Sequence, residues 1–427
     1  RCGGGNSGGV KRMAKLQSVR GTHDIIGDAA TRHRHVVATA RDCARRYGFG
    51  DIDVPIFEFT PVFARTIGEG SDVVRKEMYT FTDRGGENIT LRPEFTAGIC
   101  RAFITGGMHQ DLPLKFFAHG PAFRYERPQK GRQRQFHQID AEILGVEGPG
   151  ADIEIIALGT EILHDLGILD LCGLELNTLG DSDSRSDYRD ALVTYFTDHK
   201  ANLSEDSVDR LNRNPLRILD SKDEWDQKIV IDAPIMTDYL NSKSQDFFAS
   251  VCDGLDVLGI AYNLNPRLVR GLDYYTHTAF EFFTDALGSQ GAVIAGGRYD
   301  GLIKMLGGPQ TPGIGWAGGI ERLAMLATTA LDGDRPIAMV PLGEAAERLA
   351  LKICYDLRRS GFVVDMAFRG NLSRRLKRAN KLNARAALIL GENEIAKKII
   401  TLRNLDDGRQ VEVALDDLPA LLKKYGL

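Results

Sequence analysis

The segment 136–146 reads as a strand. Side chains alternate faces along a strand, so Ile139, Ala141 and Ile143 point one way and Gln138, Asp140 and Glu142 the other. Such a polar face is either solvated or the floor of a binding site. The preceding segment favours the second reading. Arg124 and Glu126 stand at the end of another strand, next to a loop holding Arg127, Lys130, Arg132 and Arg134, which makes five cations against one acid in residues 124–134. A loop of that sign either holds a polyphosphate or an RNA end or stays a solvated basic turn. Upstream, LRPEFTAG (91–98) sets Arg92, Glu94 and Thr96 on alternate positions, where Glu94 and Thr96 can accept hydrogen bonds from an ammonium group.

Residues 313–318, GIGWAG, match the GxGxxG dinucleotide pattern. That reading is rejected, because no long βαβ unit with an acidic ribose-binding residue follows. Small residues there (Gly315, Ala317, Gly318, Gly319) instead allow a flat base to approach the backbone. Arg322 falls about one turn into the helix that follows, where a cation opposes the helix dipole. It is either a solvent-facing arginine or one that waits for an anion such as a nucleotide phosphate. RGLDYYTHTAFEF (270–282) puts Arg270 just before a strand and Tyr274–Tyr275 at its start, either as core aromatics and a local Arg270–Asp273 pair or as site residues. Residues 369–385 hold seven Lys/Arg and no acid, and on a helix Arg374, Lys377, Arg378 and Lys381 share one face. That face is either solvated or an RNA contact.

The elements that must position these residues follow from the periodicities. Helical spacing covers 29–47, with a short strand at 51–54 that stops at Pro55. Two strands flank a Gly85-Gly86 turn, two more are expected at 114–127 and 135–146, and a helix near 151–167 follows Pro149-Gly150. The pattern is an α+β antiparallel sheet with flanking helices, not a βαβ series. DSDSRSD (181–187) reads as a polar linker, and 188–262 as mostly helical with breaks at 202–216 and 219–227. Strand patterns return at 273–283 and 290–297, a glycine-rich strand-to-helix passage covers 313–327, and Asp332-Gly333-Asp334 reads as a second linker. In the last ninety residues, IAMVPL, FVVDMAF and AALILG alternate with helices, as expected of a separate α/β domain. The glycine-rich residues 1–18 read as a flexible leader with Met13 a plausible start, not a secretory signal.

Composition bounds the function. With 427 residues, 43% apolar and 26% charged, the chain is of globular type with room for two or three domains. A net charge of −4 excludes a whole-molecule basic field, so any nucleic-acid site is a local patch. No apolar run approaches the ~20 residues of a membrane-spanning helix. The six cysteines include no CxxC spacing and the nine histidines no HExxH, so no metal site is expected, and scattered thiols fit a reducing, cytoplasmic compartment.

Together these segments resemble the class II aminoacyl-tRNA synthetases, and within them the histidyl-tRNA synthetase family, over about 19–427. The helix and strand ending at Pro55 are similar to motif 1, which builds the family's dimer interface. FRYERPQKGRQRQFHQ (123–138) is similar to motif 2, GIGWAGGIERL (313–323) to motif 3, and LVRGLDYYTHTAFEF and AGGRYDGL to the histidine-specific motifs.

The resemblance implies a homodimeric enzyme that uses ATP with Mg²⁺ to activate L-histidine and transfers it to the 3′ end of tRNA(His), with no other cofactor. It implies that Arg124 and Arg322 bind the α- and γ-phosphate ends of ATP, with Glu126 and Gly319 beside the nucleotide and Arg270 on the far side of the α-phosphate. Glu94, Thr96 and Gln138 would position the ammonium and carboxylate; Glu142 and Tyr275, with Tyr274 beside them, would read the imidazole. Arg127, Lys130 and Arg132 would meet the tRNA acceptor end, and Arg374, Lys377, Arg378 and Lys381 the anticodon arm. The implied domains are catalytic (19–330, with a helical insertion at about 182–262) and anticodon-binding (335–427). Phe95, Tyr125 and Gln133 depart from the usual Gly, His and Tyr of the family pattern. The alternative is the synthetase-like, non-catalytic regulatory subunit of histidine biosynthesis, which typically lacks the C-terminal domain.

Overall fold

The computed structural model describes residues 16–67, 73–129, 131–269, 274–288, 291–327 and 335–424. Lys130, Arg270, Asp273, the Asp332–Asp334 linker and residues 1–15 of the expected leader lie outside them. The chain divides into two compact units, 1–329 and 330–427.

The first unit is built on an eight-stranded sheet, in the order Gly50–Asp51, Leu114–Phe123, Gln135–Leu144, Gly313–Gly319, Ala292–Arg298, Thr276–Phe283, Gly173–Thr178, Asn263–Leu264. The six inner strands are antiparallel throughout. Each edge strand is two residues long and pairs parallel. The core strands are thus antiparallel as expected, while the strand expected at 51–54 is cut to Gly50–Asp51.

Alternation decides the layering. Ile139, Ala141 and Ile143 pack with Val36, Ala40 and Cys43 of the helix Asp28–Arg46 and with Ile155, Leu158 and Ile162 of the helix Gly150–Asp165. Fully burying each such aliphatic side chain is worth about 1.5–3 kcal/mol. The other face of the sheet meets the helix Thr96–Thr105, the short helix Leu302–Met305 and the Tyr274–Tyr275 pair. The Gly85-Gly86 turn joins Tyr79–Thr82 to Asn88–Leu91, and Asp83 Oδ1 accepts from the N–H groups of Gly85 and Glu87. With Phe57–Phe59 these strands form a separate three-stranded sheet.

Two expectations are corrected by helix capping. DSDSRSD is not a linker: Asp181 caps the helix Ser182–Asp198 by accepting from Ser184 N–H at 2.9 Å. The break expected at 202–216 contains the helix Glu205–Arg213, and the one at 219–227 holds the start of the helix Glu224–Val230, capped by Ser204 and Asp223 respectively. Ser, Asp and Asn punctuate helix starts as often as loops. These helices share a small core of their own, centred on Tyr188, Leu192, Phe196 and Ile218.

The second unit has a five-stranded sheet in the order Val364–Met366, Ile337–Pro341, Ala386–Leu390, Ile399–Asn404, Gln410–Ala414. The first three strands are the three apolar segments read from the sequence, paired parallel. The last two are added antiparallel. They escaped the sequence reading because Arg403, Gln410 and Glu412 interrupt their apolar run.

Candidate active site

The polar face of the floor strand Gln135–Leu144 is not solvated. Gln138, Asp140 and Glu142 are all buried, and Glu142 is 0% exposed. Gln138 and Asp140 line a cavity of about 320 Å³, together with Glu94, Thr96, Tyr274, Tyr275, Arg124, Glu126, Arg132, Gly319 and Arg322. Residues from five separate stretches of sequence therefore converge on one cleft.

Its inner end is acidic. Glu142 lies behind Thr96, whose hydroxyl donates to Glu142 Oε1 at 2.5 Å, and the Tyr299 hydroxyl donates to its other oxygen. Burial pushes the Glu142 carboxyl from 4.5 up to about 8, against the pull of those two hydrogen bonds. Glu94 accepts the Ala97 N–H at 3.0 Å at the start of the helix Thr96–Thr105, yet burial still holds its pKa above the usual range. The Tyr274 and Tyr275 rings lie 4.6 Å apart against Tyr299 and close the apolar side. Arg185, on the helix Ser182–Asp198, donates to the Tyr275 carbonyl at 2.6 Å and fixes the pair from behind.

The sharpest steric feature is Gly315. It pairs with Glu142 across the sheet, and a Cβ there would lie 1.6 Å from Glu142 Oε2. The expectation that this glycine admits a flat base is therefore corrected: its missing side chain makes room for a carboxylate. Gly318 faces the core, where an added Cβ would meet Ile139 and Ile294. Ala317 and Gly319 do line the cavity.

The outer end is cationic. Arg124 is anchored by Nε donation to the Pro93 carbonyl at 2.9 Å and lies over the Phe136 ring. Arg322 is not a solvent-facing arginine. It is half-buried at the third position of the helix Ile320–Leu326 and donates to the Gly131 and Ala292 carbonyls. Burial, and then the neighbouring Arg132, lower its pKa, while Glu126 and Glu281 oppose them. Arg132 turns into the cavity and pairs with Glu126 at 2.7 Å. Arg127 is exposed on the same loop.

The helix bearing Arg322 is itself pinned by Glu321, which accepts the backbone N–H of His137 at 3.0 Å and faces its Nδ1 at 2.8 Å, with His33 Nε2 at 3.8 Å. Burial alone would raise the Glu321 carboxyl, but these histidines hold it down at about 2.

In the second unit, Arg374, Lys377, Arg378 and Lys381 are exposed on the helix Leu372–Lys381, and Arg378 pairs with Asp365 at 3.0 Å. Arg375, from the same charge run, is buried and bonded to Glu347 and the Gly370 carbonyl instead.

A family model described as histidyl-tRNA synthetase matches residues 21–323, and one described as an anticodon binding domain matches 337–425. The chain belongs to the histidyl-tRNA synthetase family. A histidine–tRNA ligase of Rhodospirillum rubrum is 57% identical, covering 97% of this chain and 100% of that one. One from Gluconacetobacter diazotrophicus is 55% identical over 95% of this chain and 97% of its own length. The apo histidyl-tRNA synthetase of S. aureus superposes with a TM-score of 0.80 at 34% identity, covering 96% of this chain and 100% of that one. Relatives of this identity over the full length set aside the regulatory alternative. The structure titled as an ATP phosphoribosyltransferase regulatory subunit/histidyl-tRNA synthetase from Bacillus halodurans shares the fold alone, at 18% identity. As a histidyl-tRNA synthetase family member, the chain is an aminoacyl-tRNA ligase that uses ATP.

Within the family frame the three departures have distinct places. Phe95 is buried against Val54, Ile99 and Ala118, with the Arg92 guanidinium 3.9 Å above its ring, so it supports the cleft from behind. Tyr125 is exposed, edge-on to Tyr79 and covered by Arg134 at 3.8 Å. Gln133 lines the cavity. Tyr299 and Glu281 are cavity or cavity-wall groups to which the sequence reading gave no role, while Asp140 was placed on the floor strand's polar face without a partner of its own. Strand alternation could have flagged Glu281; no local signal ties Tyr299 to Glu142.

Proposed function

We propose that the cleft activates L-histidine with MgATP in its two-ended arrangement and then transfers it to the 3′ end of tRNA(His). The observation that carries this reading is a single cavity that brings the buried carboxyl groups of Glu94 and Asp140, with Glu142 behind Thr96, together with the guanidinium groups of Arg124, Arg132 and Arg322. Histidine enters imidazole first. Its ring N–H meets Glu142, with Tyr275 and Tyr274 along the ring, while Glu94, Thr96 and Gln138 hold the ammonium and carboxylate. Arg124 grips the α-phosphate, and Arg322 the γ-phosphate end. Glu126 and Gly319 flank the nucleotide, and Arg270 takes the other side of the α-phosphate. Attack of the histidine carboxylate on the α-phosphorus expels pyrophosphate, and fixed guanidinium groups stabilise the charge that develops there. The Mg²⁺ enters with ATP, carried by phosphate oxygens.

Arg127, Lys130 and Arg132 would contact the acceptor end, and Arg374, Lys377, Arg378 and Lys381 the anticodon arm. On this reading the helices between Ser182 and Val257 are an insertion in a catalytic domain (19–330), and 335–427 an anticodon-binding domain. We further propose a cytoplasmic homodimer. Ile56, Phe57, Phe59 and Phe81 expose apolar side chains together around the small sheet, a patch suited to a second copy. Cys43, Cys100, Cys172, Cys252 and Cys354 are free thiols, in keeping with a reducing compartment, and no helix among the described residues is long and apolar enough to cross a membrane. ATP–pyrophosphate exchange with each of the twenty amino acids tests the central claim. Exchange with histidine only is expected; its absence in folded protein overturns the reading.

A further inference from the structure

The mechanism above leaves one buried charge of the floor strand unused. Asp140 is 1% exposed and lines the cavity, and among the described residues neither of its carboxylate oxygens has a hydrogen-bond partner. Its cross-strand neighbours are Ala118 and Ala317, whose side chains offer no donor. The nearby guanidinium groups act on it through charge, while their hydrogen bonds go to backbone carbonyls: Arg92 to Pro121 and Val54, and Arg124 Nε to Pro93. A buried carboxylate without a partner is unfavourable unless a cation arrives to meet it.

We propose that Asp140 is a second anionic anchor, beside Glu94, for the α-ammonium group of the amino-acid substrate and selects free amino acids over des-amino analogues. The inference rests on the histidine reading given above. Gln138, Asp140 and Glu142 follow one another along one face of the strand at about 6.6 Å intervals. With the imidazole on Glu142, the next position back receives the far end of the same amino acid. The chemistry of the ligand group also fits. A phosphate would be repelled by Asp140, Glu94 and Glu142, whereas an ammonium group brings three donors and the missing positive charge. Burial raises the Asp140 carboxyl well above its usual range, Glu142 and Glu94 raise it further, and Arg92 and Arg124 oppose them. A ligand cation adds to the opposing side.

Two ligands separate ammonium recognition from pocket shape. Histidinol keeps the ring and the ammonium group; imidazolepropionate keeps the ring and the carboxylate. Their affinities are measured by calorimetry on full-length wild type, Asp140→Asn and Asp140→Ser, with a melting temperature for each protein; the serine variant serves if the asparagine variant does not fold. The expected result is a loss of about tenfold or more for histidinol with imidazolepropionate and ATP unchanged. Equal losses for both ligands, unchanged histidinol affinity, or a parallel loss of ATP affinity overturns the assignment. Wild-type protein that binds neither imidazole compound overturns the histidine reading itself, and this inference with it.

Discussion

Glu142→Gln separates what the buried carboxylate does for histidine from what it costs the fold. The unfolded chain gives up this proton near 4.5, and the folded chain keeps it to about 8. Between those values the folded state binds one more proton than the unfolded state, so stability falls as pH rises. The contribution is fully present below the unfolded value and gone once the pH has passed the folded one. The slope is about 1.4 kcal/mol per pH unit, so wild type loses about 2–3 kcal/mol from this group alone between pH 5 and pH 7.

Glutamine does not titrate, so the variant escapes that loss. Glu142 also raises Asp140, so its removal lowers that neighbour and widens the difference in the same direction. Rearranged hydrogen bonds to Thr96 and Tyr299 add an offset of about 1–3 kcal/mol that does not vary with pH. The slope, not the offset, is therefore the test. Denaturant melts of both proteins from pH 5 to pH 9 should give stability curves that diverge upward in favour of the variant. Histidine-dependent pyrophosphate exchange by the variant should fall by about 100-fold or more, because a site built to accept an imidazole N–H discriminates through that acceptor. Parallel stability curves would refute the buried-carboxylate argument, and wild-type exchange would refute its role with histidine.

Gly315→Ala, which forces a methyl group into Glu142, should lower histidine-dependent exchange by about 100-fold while the protein stays folded; steady-state exchange and circular dichroism on one preparation check this. Asp152→Asn breaks a pair with Arg298 in which both side chains are 0% exposed, and should destabilise the first unit by about 3–5 kcal/mol in a denaturant melt. Arg270→Lys should cut single-turnover adenylate formation by about 100-fold without lowering the melting temperature, since lysine lacks the planar fork that spans two phosphate oxygens; a wild-type rate would remove Arg270 from the mechanism.

The legible part of the site was local. Alternation along 136–146 placed Gln138, Asp140 and Glu142 on one face because strand geometry depends only on neighbouring residues. The cation cluster around Arg124 was legible for the same reason. What closes the site was not. Glu142 owes its surroundings to Thr96, 46 residues before it, and to Tyr299, 157 residues after it, and no spacing rule connects them. The role of Gly315 was hidden similarly: the run of small residues suggested room for a flat base, and only the pairing with Glu142 shows what occupies that room. The helices after residue 180 were blurred because Asp181, Ser204 and Asp223 look like linker residues until their side chains are seen capping N–H groups.

The two ends of the cleft explain each other. Glu94 and Asp140 are buried in the cavity wall with Glu142 behind Thr96, and Arg124, Arg132 and Arg322 are the less buried cations of the same lining, with Glu126 paired to Arg132. Either cluster alone would be a liability, since burial, and then like charges brought together, push the groups toward their neutral forms. Burial raises the Glu142 and Asp140 carboxyls and lowers Arg322, and the like-charged neighbours act in the same direction. A ligand with a cation at one end and anions at the other relieves both at once. An amino acid lying with its ammonium group inward and its carboxylate toward a bound triphosphate has that form. The fold therefore orients the attacking carboxylate before any bond is made, because the reversed pose would set anion against carboxylate and ammonium against guanidinium.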